Sequence, residues 1–149
     1  MTETFDYIVV GAGSAGSVIG ARLSERNDIR VLVLEAGGRD WMPLYKIPLM
    51  AGILFRHQYN NWWYQTEPEP GLDGRQIRWP RGKVLGGSNQ LNGMVYTRGH
   101  RLDYDTWRQL GNEGWGYEDI LPAFKKTEDF QGPDTYHHGK GGPLTVRSH

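Results

Sequence analysis

Residues 6–16 read Asp-Tyr-Ile-Val-Val-Gly-Ala-Gly-Ser-Ala-Gly, and residues 32–36 read Leu-Val-Leu-Glu-Ala. An apolar run, a glycine turn, a helical stretch and a second apolar run closing on a carboxylate leave few folds open. They spell a parallel β–α–β unit with a right-handed crossover. Gly11 permits the tight turn after the first strand. Gly13 lets backbone N–H groups come close to a pyrophosphate, and Gly16 lets the helix pack against the strand. The start of that helix offers unpaired N–H donors and a positive dipole end. Glu35 stands about twenty residues beyond the turn, where a carboxylate can accept hydrogen bonds from ribose hydroxyls. Together these features form an adenine-dinucleotide fingerprint. An ordinary glycine-rich β–α turn is the competing reading, and it leaves the flanking strands and the acid without a purpose.

The rest of the pattern predicts further elements. A buried strand is expected over 5–10, a helix over 14–26 and a second buried strand over 30–35. Five prolines, Pro43, Pro48, Pro68, Pro70 and Pro80, preclude a long helix through 39–80. Residues 62–79 read as a hairpin turning at Leu72-Asp-Gly-Arg75. A second glycine-dense stretch, 82–93, leads into a short helix around 88–94. Helices follow at 101–110, with Leu102, Trp107 and Leu110 as core positions, and at 117–127. In the latter, Glu118 and Asp119 in the first turn and Lys125 and Lys126 in the last agree with the helix dipole, and the charges of 122–129 form an exposed face. Residues 139–147 run from a loop into one more strand. The fold class is α/β with an incomplete sheet: two strands belong to the dinucleotide unit, whereas a doubly wound sheet normally needs about four to six. We therefore expect the remainder of a longer polypeptide to complete the sheet and the far side of the cleft.

Composition narrows the partners. Seventeen basic and 17 acidic side chains balance to a formal charge of zero, which gives no footprint for nucleic acid. The chain has no cysteine, so disulfides and Cys-based metal sites are excluded. Met1-Thr-Glu-Thr carries an acid and no basic leader. The longest apolar run, 47–55, is too short to span a bilayer and contains Pro48 and Gly52. We expect no transmembrane segment and a cytoplasmic location, with peripheral attachment to a membrane left open.

The second glycine stretch, Pro80-Arg-Gly-Lys-Val-Leu-Gly-Gly-Ser-Asn-Gln-Leu-Asn-Gly-Met-Val-Tyr-Thr-Arg-Gly99, resembles the first signature of the glucose–methanol–choline (GMC) flavoprotein oxidoreductases. Residues 61–71, Asp103-Tyr-Asp-Thr-Trp107, residues 111–116, 121–129 and 138–144 are similar to the bacterial alcohol and choline dehydrogenase branch of that family. The resemblance covers essentially the whole chain and corresponds to the N-terminal portion of a family member. It implies FAD rather than NAD. By motif matching, Gly11, Gly13, Ser14, Ala15 and Gly16 would hold the pyrophosphate, and Glu35 with Ala36 the adenosine ribose. Val84, Gly86, Gly87, Asn92, Gly93, Met94 and Val95 would lie along the flavin. Residues 1–38 would then be the Rossmann-like FAD-binding unit, 39–100 a loop-rich flavin-covering segment, and 101–149 a helical segment leading into a strand of a substrate domain.

Two departures from the family pattern carry weight. Ser88-Asn89-Gln90 replaces the usual Ser-Ser after Gly-Gly, and Leu91 stands where choline oxidases carry a histidine bonded covalently to FAD. Leucine cannot form that bond, so non-covalent FAD is implied. The family's catalytic histidine lies in a C-terminal region outside these residues, so no catalytic residue is assigned to this chain. The implied reaction is oxidation of an alcohol, a primary one by expectation, with hydride passing to FAD. The electron acceptor is not identified by these residues.

Several side chains keep two readings. Asn92 offers an amide to a flavin edge or caps a turn. Trp62-Trp63-Tyr64 stacks on a ligand or packs a strand, and Arg81 and Lys83 touch phosphate or are a solvated pair. His57, His100, His137, His138 and His149 read as structural or solvated; His137-His138 has no third ligand at metal-binding spacing. For the whole chain, the alternatives are a stand-alone nucleotide-binding or interaction module and an NAD-dependent dehydrogenase, the latter opposed by residues 80–99.

Overall fold

The computed structural model describes residues 3–133 and 135–148; Met1, Thr2, Asp134 and His149 lie outside the described residues. The chain divides into two compact units, Met1–Met94 and Val95–His149.

In the first unit, strand β1 (Tyr7–Val10) leads through the glycine turn into helix α1 (Ser14–Leu23) and then strand β2 (Val31–Leu34). The strands pair in parallel, Tyr7 with Val31 through Val10 with Leu34. The crossover expected from the sequence is therefore present. α1 stops three residues short of its expected end, at Leu23, where Ser24 folds its Oγ and its N–H back onto Gly20 O at 2.7 and 3.1 Å. The strands were expected to be buried. Instead Ile8 and Val10 of β1 are 60% and 83% exposed, because β1 and β2 form a sheet of two strands among the described residues.

Residues 39–60 wind through short 3-10 turns that begin at Pro43 and Pro48 and a single helical turn, α2 (Ala51–Leu54). Proline at the start of each turn supplies the required φ and lacks only an N–H that would have no partner there. The hairpin forms as anticipated from strands β3 (Tyr64–Gln65) and β4 (Arg78–Trp79), paired antiparallel. Asp73 and Gly74, with φ of 54° and 72°, make its left-handed corner. The helix anticipated around 88–94 is a shorter 3-10 turn over Gly87–Gln90. Leu54, Val84 and Leu91 are the fully buried aliphatic side chains of this unit.

The second unit is built on helices α3 (Arg101–Gln109) and α4 (Tyr117–Thr127) and strands β5 (Glu128–Phe130) and β6 (Leu144–Val146), which pair in parallel. His100 caps α3: its Nδ1 accepts the Leu102 N–H at 3.2 Å, while Asp103 Oδ2 accepts the His100 N–H at 2.9 Å. Asp105 accepts the Tyr117 N–H at 3.1 Å and so joins α3 to the start of α4. Two expectations are corrected here. Leu102, Trp107 and Leu110 are 62%, 45% and 76% exposed rather than core; the buried apolar side chains come from α4 and β5, as Tyr117, Leu121 and Phe130. Among the charges of 122–129, Glu128 is fully buried at the head of β5, because the chain leaves the helix there and turns inward.

Glu128 has a complete set of partners. Its carboxylate accepts from Arg98 Nη2 at 2.5 Å and from the Gly139 N–H at 3.0 Å, and it lies 2.8 Å from His138 Nδ1. Arg98 also donates to His137 O at 2.6 Å, and the His138 ring stacks on Phe130 with centroids 3.8 Å apart. Among the described residues, no three His, Asp or Glu side chains are gathered as a metal site.

Candidate dinucleotide cleft

A cleft of about 890 Å³ opens at the C-terminal ends of β1 and β2 in the first unit. Crevices at this edge of a parallel sheet are where α/β folds bind ligands. Its floor is the glycine turn, with Gly11, Gly13, Ser14, Ala15 and Gly16, and its flank is Glu35 and Ala36. A side chain at Gly16 would run into the carbonyl of Gly11, so the helix start can sit against the turn only with glycine there.

The second glycine stretch comes to the same cleft. The Gly86 N–H donates to Ala12 O at 2.9 Å, and the Leu85 N–H to Gly38 O at 2.8 Å. Gly87 lies buried over the turn with φ of 58°, and a Cβ built on it would stand 2.9 Å from Gly13 Cα. Two stretches far apart in the sequence thus present nearly bare backbone to one space. A flat or phosphorylated ligand can approach such a surface closely.

Glu35 is engaged within the protein. Oε2 accepts the Ala12 N–H at 2.7 Å and Oε1 the Gly37 N–H at 2.8 Å, so one carboxylate ties the turn after β1 to the exit of β2. A carboxylate accepts about four hydrogen bonds, which leaves acceptor capacity toward a ligand hydroxyl.

Gly11, Gly13, Ser14, Ala15, Gly16, Glu35, Ala36 and Gly87 therefore line one cleft. The other anticipated positions lie elsewhere. Gly86 joins the turn through its N–H, and Val84 is fully buried, bridging Gly38 through its backbone. Asn92, Gly93 and Met94 follow on the surface, beyond the residues that line the cleft. There Asn92 makes a turn: its Oδ1 accepts the Met94 N–H at 2.8 Å. Val95 begins the second unit.

The cleft also has a wall of residues outside the assigned cofactor-binding positions. Trp62, Tyr64 and Arg81, from the arms of the hairpin, line it together with Ser88. The Trp62 and Tyr64 rings lie parallel, 4° apart in plane with centroids 5.9 Å apart, and Lys83 Nζ sits 4.6 Å over the Trp62 ring. Among the described residues no carboxylate pairs with Arg81. The sequence signal for this wall is the alternation of aromatic and cationic residues on two strands that return to the glycine segment. Strand packing accounts equally well for that alternation until the hairpin is placed in space.

Residues 5–149 match the family described as GMC oxidoreductase. The chain is 50% identical over 143 residues to an oxygen-dependent choline dehydrogenase of Sinorhizobium fredii, covering 95% of this chain and 26% of the relative. It is 47% identical over 142 residues to that of Photobacterium profundum, covering 95% and 25%. Among solved structures, pyridoxine 4-oxidase from Mesorbium loti superposes with a TM-score of 0.90 at 42% identity, over 95% of this chain and 28% of that one. A formate oxidase of Aspergillus oryzae, in a structure concerned with FAD modification, gives 0.84 at 30% identity, over 96% and 26%. The chain spans about a quarter of the length of the curated relatives it matches.

Proposed function

Because this chain belongs to the GMC oxidoreductase family, we propose that it forms the FAD-binding portion of an enzyme that oxidises an alcohol, a primary alcohol by preference. The observation that carries this reading is the shared cleft, where Gly87 rests on Gly13 and the Gly86 N–H on Ala12 O. The residues present fit the cofactor: side-chain-free backbone on the floor, an acceptor at Glu35, and on the wall the Arg81 guanidinium, which has no carboxylate partner among the described residues. FAD, when bound, supplies the two-electron acceptor for oxidation of a CH–OH group. The chain's own residues bind and orient. The N–H groups at the start of α1 face phosphate, Arg81 neutralises its charge, and Glu35 accepts from the ribose while holding the turn. We place the proton-abstracting group outside this chain, since none of its described histidines lines the cleft.

Two supports bear on the finer points. Relatives named for choline and pyridoxine share a CH₂–OH group as the oxidisable function. Leu91, an aliphatic side chain 1% exposed, offers no atom for a covalent bond to the cofactor, so FAD here is non-covalent and extractable. The full-length protein should show a flavin band near about 450 nm that is released on denaturation in acid. Absence of that band, even after FAD is added, would reject the reading.

Glu35→Ala should weaken FAD binding in the full-length protein by about 1–3 kcal/mol, a factor of roughly five to 140, because the Ala12 and Gly37 N–H groups lose their acceptor along with the ribose. Glu35→Gln, which keeps one acceptor oxygen, should fall between it and the parent. Titration of the apo-protein with FAD, followed by flavin fluorescence, measures both.

A further inference from the structure

Among the described residues of the first unit, Asn61 is the one buried polar side chain, at 5% exposure. It stands at the foot of the hairpin, and all three of its hydrogen bonds go to backbone. Oδ1 accepts the Arg81 N–H at 2.9 Å and the Trp63 N–H at 3.2 Å, and Nδ2 donates to Phe55 O at 3.2 Å. Around it the two arms are laced together. The Trp62 N–H donates to Arg81 O at 2.9 Å, the Lys83 N–H to Asn60 O at 2.9 Å, and Asn61 bridges Gly82 antiparallel. Gly82 in turn lies directly against the Gly87 carbonyl, and its N–H donates to Ser88 Oγ at 3.1 Å. A continuous line of backbone contact thus runs from the Asn61 amide through Arg81 and Gly82 to Gly87, and from Gly87 to Gly13.

We propose that Asn61 is a positioning residue of the FAD cleft: its side-chain oxygen holds the Trp63 and Arg81 backbone, and so fixes Trp62, Arg81 and Gly82 as the wall facing the glycine turn. The two ends of the amide have separate jobs. The oxygen serves the wall, whereas the nitrogen, through Phe55, serves the packing of 51–60. A pre-set wall spares the cofactor the cost of ordering two aromatic rings and a guanidinium when it binds. The inference rests on the FAD reading, and its test separates the two.

The test uses the full-length flavoprotein stripped of FAD, with the parent, Asn61→Ala and Asn61→Asp titrated with FAD while apo-protein melting is recorded. Both variants lose the Phe55 contact and should melt lower. Asn61→Ala, which also loses the oxygen, should raise the Kd for FAD at least about tenfold, while Asn61→Asp, which keeps it, stays within about threefold of the parent. Equal affinity in parent and Asn61→Ala, with only the melting point lowered, would reduce Asn61 to a packing residue and overturn the proposal, as would Asp binding no better than Ala. A parent that does not take up FAD defeats the cofactor reading itself. A readout without variants covers the case in which Asn61→Ala does not fold: the Trp63 and Arg81 amides should exchange slowly in the parent apo-protein, before any FAD is added. Fast exchange at those two amides also overturns the proposal.

Discussion

Gly87→Val in the full-length protein is expected to abolish FAD uptake while leaving Gly52→Ala, a substitution elsewhere in the first unit, indistinguishable from the parent. At Gly87 the backbone has φ of 58°, and the new Cβ would stand 2.9 Å from Gly13 Cα, a backbone atom of the β1–α1 turn. A β-branched residue in that conformation costs about 1–3 kcal/mol in strain, and forcing the two backbones apart adds about 1–3 kcal/mol. Each 1.4 kcal/mol is tenfold in affinity, so a loss of about thirtyfold to ten-thousandfold is expected. A Cβ at Gly52 meets nothing within 4 Å, and alanine there favours the short helix α2. Flavin content after purification and FAD titration of the apo-protein read the outcome. A Gly87→Val protein that retains its flavin would show that the second glycine stretch does not meet the cofactor.

Glu128→Leu is expected to destabilise the protein by about 3–5 kcal/mol, since removing one partner of a buried ion pair leaves the other charge uncompensated. The Arg98 side chain is only 13% exposed, and with His138 and the Gly139 N–H it would face a hydrocarbon. Glu128→Gln keeps the shape and an acceptor, and should cost about 1–3 kcal/mol. Burial alone would raise the Glu128 carboxyl, but the His138 hydrogen bond, the Gly139 N–H and the Arg98 charge outweigh it and hold it below the usual carboxylate range. A carboxyl depressed in the native state lends stability that is complete above about pH 5 and is lost as the pH falls below about 4.3 towards its native value. Urea unfolding followed by circular dichroism at pH 7 and at pH 4 measures this. The difference between parent and Glu128→Gln should narrow at the lower pH; an unchanged difference would mean that the carboxylate's charge is not what the cluster uses.

The dinucleotide unit was legible because its constraints are local. A glycine turn, a helix start and a carboxylate at fixed spacing act within one β–α–β crossover, so residues 6–36 specify it almost alone. The meeting of the two glycine stretches was legible only as an inference of purpose, through the family resemblance, since no pattern within 82–93 points to Gly13. What escaped the sequence lies where contacts are long-range. Arg81 and Trp62 keep two readings in the sequence, phosphate contact or solvated cation and ligand stacking or strand packing, and only the placed hairpin brings them to the cleft. Asn61 has no motif at all; its role appears only when Phe55, Trp63 and Arg81 converge on one amide. Glu128 read as one more charge on the exposed face of α4 because that face was carried on to residue 129, past the end of the helix at Thr127. Leu102 and Leu110 erred in the other direction: apolar spacing marks a face, but a core forms only where another element covers it.

Hydrogen exchange of the full-length apo-protein, with and without FAD, tests the central claim most directly, because it reports each glycine stretch separately and needs no substitution. Residues 11–16 and residues 81–87 should gain protection together on addition of FAD, at the same concentration of ligand. Protection confined to residues 11–16, with 81–87 exchanging as before, would contradict a single flavin cleft built from both.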